Sequence, residues 1–241
     1  MKVVILCGGK GTRLAPDFKE TPKPLVPIGG RPILIHLMNY FSSEGLNNFI
    51  LALGHRKEKI ISMIKPSENI KMVDTGKESM TGGRLLRLKD YLKETFILTY
   101  SDGLSDIDIN SLLDFHKSHG KIATVTAVKS PSRFGELTVN GGRVNEISEN
   151  ERWINGGFFV FEPQIFDYLA NDLTILEDGP LKALIREGNL MAYKHNGFWE
   201  CMDTPSDVAH LNYLFEMGRI PENVSQCLSR EKSPSHWAYR V

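Results

Sequence analysis

The stretch Met1-Lys-Val-Val-Ile-Leu-Cys-Gly-Gly-Lys-Gly-Thr-Arg-Leu14, with Lys23-Pro24-Leu25-Val26-Pro27-Ile28-Gly29 shortly after it, decides the reading of this chain. The apolar run Val3–Leu6 reads as a buried strand and breaks at once into Gly8-Gly9-x-Gly11-Thr12-Arg13. A strand that ends in a glycine-rich turn can aim several backbone N–H groups at one point, because glycine permits positive φ and close approach. Arg13 adds charge at that point and Lys23 follows ten residues later. Together they suit a triphosphate and make phosphoryl or nucleotidyl chemistry the leading expectation.

This loop differs from the commoner phosphate loops. The chain has no GxxxxGK[ST], and Gly9-x-Gly11 lacks the third glycine of a dinucleotide fingerprint. A bare Gly-Gly-x-Gly equally suits a tight strand–loop turn. It is the combination with Thr12, Arg13 and Lys23-Pro24 that favours phosphate binding.

The bulk properties narrow the field. A chain of 241 residues suits one generous α/β domain with an ample core. Its 29 basic and 29 acidic residues cancel, so no global field favours nucleic acid or an anionic membrane. Cys7, Cys201 and Cys227 are odd in number and scattered, with neither metal-type spacing nor a disulfide framework. A cytoplasmic protein is expected. The N-terminus lacks the apolar region of a signal peptide, and no apolar run approaches membrane-spanning length.

Strand and helix patterns alternate along the first half. Strands are expected at Val3–Leu6, Phe49–Leu53, Lys71–Asp74, Phe96–Tyr100 and Ala123–Val128. Helices are expected at Pro32–Ser43, Lys57–Ile64, Gly82–Leu92 and Ile109–His119. This βα rhythm predicts an α/β fold, a Rossmann-like mixed, mostly parallel sheet flanked by helices. The rhythm then changes. Gly135–Val139 and Arg143–Ile147 flank Asn140-Gly141-Gly142, a hairpin pattern. Trp153–Phe161 and Met191–Tyr193 read as strands, and Gln164–Leu169, Pro180–Glu187 and Val208–Met217 as helices. From about Ile220 the chain is polar and aperiodic.

Several further residues stand where chemistry would sit. Asp102, in Thr99-Tyr100-Ser101-Asp102-Gly103, ends an apolar strand, where ligands of open α/β sheets bind. Such a carboxylate could hold Mg²⁺ against phosphates, or simply form a turn. Asp203 follows Phe198-Trp199-Glu200-Cys201-Met202 and could be a second metal ligand or a helix N-cap. Ser79-Met80-Thr81-Gly82-Gly83-Arg84 precedes a helix and could read a base or ribose edge, or be an ordinary capped loop. Asn155-Gly156-Gly157, beside a strand, could border a ligand or form a bulge.

The opening cassette with Lys23-Pro24 resembles that of the sugar-nucleotide pyrophosphorylases, a nucleotidyltransferase family. Val73-Asp74-Thr75-Gly76, Met80-Thr81-Gly82-Gly83-Arg84-Leu85, Thr99-Tyr100-Ser101-Asp102-Gly103 and Arg133-Phe134-Gly135 are similar to the glucose-1-phosphate cytidylyltransferase subgroup. So are Ile154–Val160, Gly197-Phe198-Trp199 and Met202-Asp203-Thr204. The resemblance covers residues 1–218 and implies a single domain of glycosyltransferase-A-like nucleotidyltransferase fold. It assigns 1–130 to the nucleotide, 131–218 to the acceptor, and leaves 219–241 as a tail.

The implied reaction joins CTP to a phosphorylated acceptor, glucose 1-phosphate by default, and releases pyrophosphate. The implied site residues follow from the matched motifs. Leu6, Gly8, Gly9, Gly11, Thr12, Arg13, Lys23, Ser101 and Asp102 hold the nucleotide, with Thr81, Gly82 and Arg84 beside the cytosine. Arg13 and Lys23 are the catalytic cations, and Asp102 and Asp203 bind Mg²⁺. Arg133, Gly135, Asn155, Gly156, Lys194 and Trp199 border the acceptor. Homo-oligomers are common in the subgroup.

Two departures bear on the acceptor. The subgroup's Glu-Lys-Pro segment, whose lysine grips the acceptor phosphate, is replaced by Glu149-Asn150-Glu151; Arg152 or Lys194 could restore the charge. The subgroup's insertion before Val-Asp-Thr-Gly shrinks to the short link Ile64–Met72. Alternatives are therefore a non-sugar acceptor, such as a phosphorylated amino-acid amide of capsule modification, or a thymidylyl- or uridylyltransferase. A catalytically inactive regulatory subunit is a different class, and the presence of Arg13, Lys23, Asp102 and Asp203 counts against it.

Overall fold

The run Val3–Cys7 is buried on both sides because it forms the middle of a sheet. Strand β1 (Lys2–Cys7) sends Val3, Ile5 and Cys7 into one core and Val4 and Leu6 into another. A continuous apolar run is what a parallel strand covered on both faces requires. The computed structural model describes residues 1–14, 18, 20–130, 136–148, 152–221 and 223–224.

Two short strands, β2 (Pro27–Ile28) and β3 (Arg31–Pro32), pair with each other ahead of helix α1 (Ile33–Ser43). Strand β4 (Phe49–Leu53), helix α2 (Lys57–Met63) and strand β5 (Ile70–Asp74) follow. Then come α3 (Thr81–Leu86), β6 (Phe96–Tyr100), β7 (Gly103–Ser105), α4 (Ile109–His119) and β8 (Ala123–Ser130). Strands β9 (Glu136–Asn140) and β10 (Arg143–Ser148) form the expected hairpin; Gly135 lies outside the described residues. Strand β11 (Arg152–Phe161), helix α5 (Pro180–Arg186), strands β12 (Leu190–His195) and β13 (Trp199–Cys201), and helix α6 (Pro205–Glu216) complete the order.

Seven strands form the main sheet in the order β12-β8-β11-β6-β1-β4-β5. All neighbours are parallel except β11, which runs antiparallel to β6 and β8. The mixed, mostly parallel sheet matches the expectation. The chain moves outward from β1 to β4 and β5, then returns to β6 on the other side of β1. The carboxyl ends of β1 and β6 therefore flank a topological switch point, where open α/β sheets place ligands.

Three helix expectations need correction. The stretch Gly82–Leu92 is α3 plus a separate 3-10 turn at Lys89–Tyr91. Leu85 and Leu88 are still buried, because a spacing of three suits a 3-10 turn as well as an α-helix. Gln164–Leu169 is also 3-10, over Pro163–Tyr168. Helix α6 begins before Val208, since Thr204 and Asp207 form a capping box and Pro205 takes the first helical position. Beyond α6, Ile220 and Val224 are buried in the core, so the early part of the expected tail packs on the fold. Among the described residues, no helix is long and apolar enough to cross a membrane.

One buried side chain gives the fold a measurable pH dependence. His36 on α1 donates from Nε2 to the Ile28 carbonyl at 2.8 Å, while Nδ1 is buried without a partner. Burial, with the nearby Arg31 charge, lowers its pKa to about 4. The unfolded chain takes up this proton near pH 6.5, so its contribution is complete above that pH and is lost as pH falls toward 4. Lowering the pH from 7 to 5 is expected to cost about 2 kcal/mol through this residue. His36→Gln should flatten that part of the urea-midpoint profile; an unchanged profile would contradict the assignment.

Candidate active site

Two strand pairs set the geometry at the switch point. Strand β7 leaves the end of β6 and pairs antiparallel with β13, with Gly103 opposite Cys201. The Met202 amide donates to the Asp102 carbonyl at 2.8 Å, which extends this ladder by one rung. Asp102 and Asp203 thereby arrive side by side from distant parts of the chain. Asp203 is not the helix cap that its position also allowed; Thr204 caps α6.

The two carboxylates converge on one cation. Lys23 Nζ lies 2.6 Å from Asp102 Oδ2 and 2.5 Å from Asp203 Oδ1. Arg13 Nη1 reaches the other oxygen of Asp203 at 2.6 Å. Burial alone would lower the Lys23 pKa, but Asp102 and then Asp203 outweigh it and raise it, so the ammonium stays charged. Lys23 starts a 3-10 turn, Lys23–Leu25, preceded by Pro22 and held by Pro24. Oxygen-only donors that share one cation are the kind of set that Mg²⁺ accepts from protein, with phosphates and water completing its shell. Among the described residues no larger cluster of metal-ligating side chains occurs.

These groups line a cavity of about 730 Å³. On the β1 side it is bordered by Leu6, Gly9, Gly11, Thr12, Arg13 and Lys23. Thr81 and Arg84 border it from α3, and Ser101, Asp102 and Asp203 from the strand ends. Asn155 and Gly156 border it from β11, and Trp199 from β13. Gly8, Gly82 and Lys194 do not line it. Arg133 and Gly135 lie outside the described residues.

Arg84 is 4 % exposed, and its donors are taken by the protein itself. Nη2 donates to the Gly8 carbonyl at 2.7 Å, and Nη1 donates to the Gly76 carbonyl at 2.7 Å and the Thr75 hydroxyl at 3.0 Å. Burial lowers its pKa, and the Asp74 charge partly offsets that. A Cβ on Gly8 would stand 2.1 Å from this guanidinium, and one on Gly54 2.2 Å. Both glycines thus make room for the clamp. Gly82 and Gly83 serve packing too, since a Cβ on Gly83 would lie 2.0 Å from the Asp172 carbonyl.

Asn155-Gly156-Gly157 forms the bulge that its glycines allowed: the three β11 residues between Asn155 and Phe159 lie opposite the single β8 residue between Ala127 and Val125. Gly157 takes φ +79°, and the Asn155 side chain accepts from its amide at 2.8 Å. The Gly156 carbonyl turns out and accepts from the Trp199 indole at 2.8 Å. Lys194 instead stands over the exposed Trp153 ring, 5.3 Å from its centroid. It offers no replacement for the missing lysine inside the cavity.

Sequence reasoning assigned no role to Tyr100 or Glu177, yet both line the cavity. Tyr100 belongs to the motif Thr99-Tyr100-Ser101-Asp102-Gly103 and is the last residue of its strand. Glu177, in a Glu-Asp-Gly-Pro turn, gave no signal.

The chain matches the Nucleotidyl transferase family over residues 2–208. The glucose-1-phosphate cytidylyltransferases of Salmonella typhimurium and Salmonella typhi are each 42% identical to it over 253 residues, covering 92% of this chain and 98% of theirs. The crystal structure of HddC from Yersinia pseudotuberculosis superposes with a TM-score of 0.70 at 24% identity, covering 89% of this chain and 99% of that one.

The clamp predicts a stability effect. Arg84→Met removes the hydrogen bonds to the Gly8 and Gly76 carbonyls that tie two loops together and should destabilise the protein by about 3 kcal/mol in urea unfolding. A midpoint within experimental error of the parent would show that the loops hold without it.

Proposed function

The chain belongs to the nucleotidyl transferase family, and we propose that it is a cytidylyltransferase that joins CTP to a sugar 1-phosphate, glucose 1-phosphate first, with release of pyrophosphate. The observation that carries this reading is the identity of 42% across nearly the whole of both chains with enzymes of that name. The convergence of Arg13, Lys23, Asp102 and Asp203 at one cavity supports it.

In this reading the acceptor phosphate oxygen attacks the α-phosphorus of CTP. A new P–O bond forms as the bond between the α- and β-phosphates breaks, and pyrophosphate leaves. No covalent enzyme intermediate is required, so catalysis is positioning plus charge stabilisation. The backbone from Gly9 to Gly11, with Thr12, cradles the triphosphate. Arg13 stabilises the departing pyrophosphate through charge-assisted hydrogen bonds. Lys23 neutralises charge that builds at the α-phosphate. Asp102 and Asp203 would hold Mg²⁺, which when bound supplies Lewis-acid stabilisation of phosphate charge.

Arg84 shapes the base side by tying the Gly8 and Gly76 loops together. Trp199 and the β11 bulge border the acceptor. The free thiols Cys7 and Cys201 are compatible with a reducing compartment such as the cytoplasm.

The test is product analysis with CTP, Mg²⁺ and a panel of phosphorylated acceptors. Equal amounts of CDP-glucose and pyrophosphate from glucose 1-phosphate are expected. Turnover only with a non-sugar phosphate would move the chain to a different acceptor, and no pyrophosphate with any acceptor would refute the reading. Asp102→Asn should lower kcat about a hundredfold or more and raise the Mg²⁺ concentration needed for half-maximal rate. A near-parental rate would remove Asp102 from the metal site.

A further inference from the structure

The acidic groups around the cavity are not all alike. Glu78 pairs with Lys10 at 2.7 Å, and Asp102 and Asp203 share Lys23. Glu177 lines the same cavity, and among the described residues its hydrogen-bond partners are the hydroxyls of Thr81 and Tyr100. Thr81 donates to Oε2 at 2.8 Å and the Tyr100 phenol donates to Oε1. Thr81 Oγ also accepts from the Leu176 amide at 2.9 Å, which leaves its proton for Glu177.

The network continues across the sheet. Tyr100 is also hydrogen-bonded to the Asn155 side chain. The Tyr100 proton goes to Glu177, so the phenol oxygen is left to accept from the Asn155 amide group, whose Oδ1 already accepts from the Gly157 amide. A chain Thr81–Glu177–Tyr100–Asn155 therefore runs from the start of α3 to the β11 bulge. Each carboxylate oxygen of Glu177 has one fixed donor and keeps further lone pairs for another. A carboxylate without a counter-cation repels phosphates, so its partner belongs to an uncharged part of a substrate.

We propose that Glu177 is a specificity-determining residue, its carboxylate accepting a hydrogen bond from an N–H or O–H group on the uncharged part of a substrate. Resting on the cytidylyltransferase reading, the donor is the cytosine 4-amino group or a hydroxyl of the acceptor sugar. Against a 4-amino group the carboxylate gains a charge-assisted bond. Against the carbonyl that uracil carries there, it sets two acceptors face to face.

Titration calorimetry on the full chain distinguishes the two sources and does not depend on turnover. Glu177→Gln keeps the shape and removes the charge. Kd is measured for CTP and UTP, and for glucose 1-phosphate in the presence of a non-transferable CTP analogue. If the base supplies the donor, the preference for CTP over UTP should fall about tenfold in the variant, with the acceptor Kd unchanged. If the sugar supplies it, the acceptor Kd should rise about tenfold and the CTP-to-UTP ratio should hold. Both values within twofold of the parent, with thermal stability retained, would overturn the proposal. Tyr100→Phe removes one hydrogen bond that fixes the carboxylate and should shift the same quantity in the same direction by less. It is the variant to read if Glu177→Gln fails to fold, and an unshifted value there would equally overturn the proposal. Absence of CTP turnover in the parent refutes the cytidylyltransferase reading, while the binding ratios still judge Glu177.

Discussion

The Lys23 ammonium holds two carboxylates that repel each other, and the site depends on that arrangement. Asp102 and Asp203 sit within hydrogen-bond distance of the same nitrogen. Without a cation between them, two half-buried carboxylates so close together would repel each other strongly. The carboxylates in turn favour the charged lysine, since burial by itself lowers its pKa and they raise it. Each charge is tolerated because of the others. Removing one partner from such a cluster leaves an uncompensated charge in a poorly solvated place.

Much of the fold serves to bring these three side chains together. Strand β1 and its glycine loop set the floor, and the turn Lys23–Leu25 aims the lysine. The β7–β13 ladder, remote from the seven-stranded sheet in hydrogen bonding, brings the two aspartates together. Arg84 fastens the loop after β1 to the loop after β5 from behind. The β11 bulge turns a carbonyl toward Trp199 and shapes the other half of the cavity. The antiparallel course of β11 places that bulge beside the end of β6.

Most of the parallel half was legible because its signals are local. Val3–Leu6 and Phe49–Leu53 are apolar runs that only a strand covered on both faces explains. The turn Asn140-Gly141-Gly142 has the residues that its positive φ angles need. What was illegible depends on tertiary contact. Strands β7 and β13 are three residues each and exist only as a pair. The position of Arg84 could be quoted from a motif, but its burial behind Gly8 and Gly54 is set by residues far away in sequence. Glu177 enters the cavity because the segment before α5 packs on Gly82 and Gly83, a contact no periodicity records. The start of α6 was a different case. Its capping box was present in Thr204-Pro205-Ser206-Asp207, but the apolar spacing from Val208 drew the boundary too late.

The measurement that tests the Lys23 cluster most directly separates binding from chemistry in Lys23→Ala. CTP affinity is measured by calorimetry and the rate of CDP-glucose formation in a single turnover. A lysine that stabilises charge at the α-phosphorus predicts a CTP Kd changed only a few-fold and a chemical rate lowered at least about a hundredfold. A chemical rate near that of the parent, with CTP affinity lost, would make Lys23 a binding residue and contradict the catalytic role proposed for it.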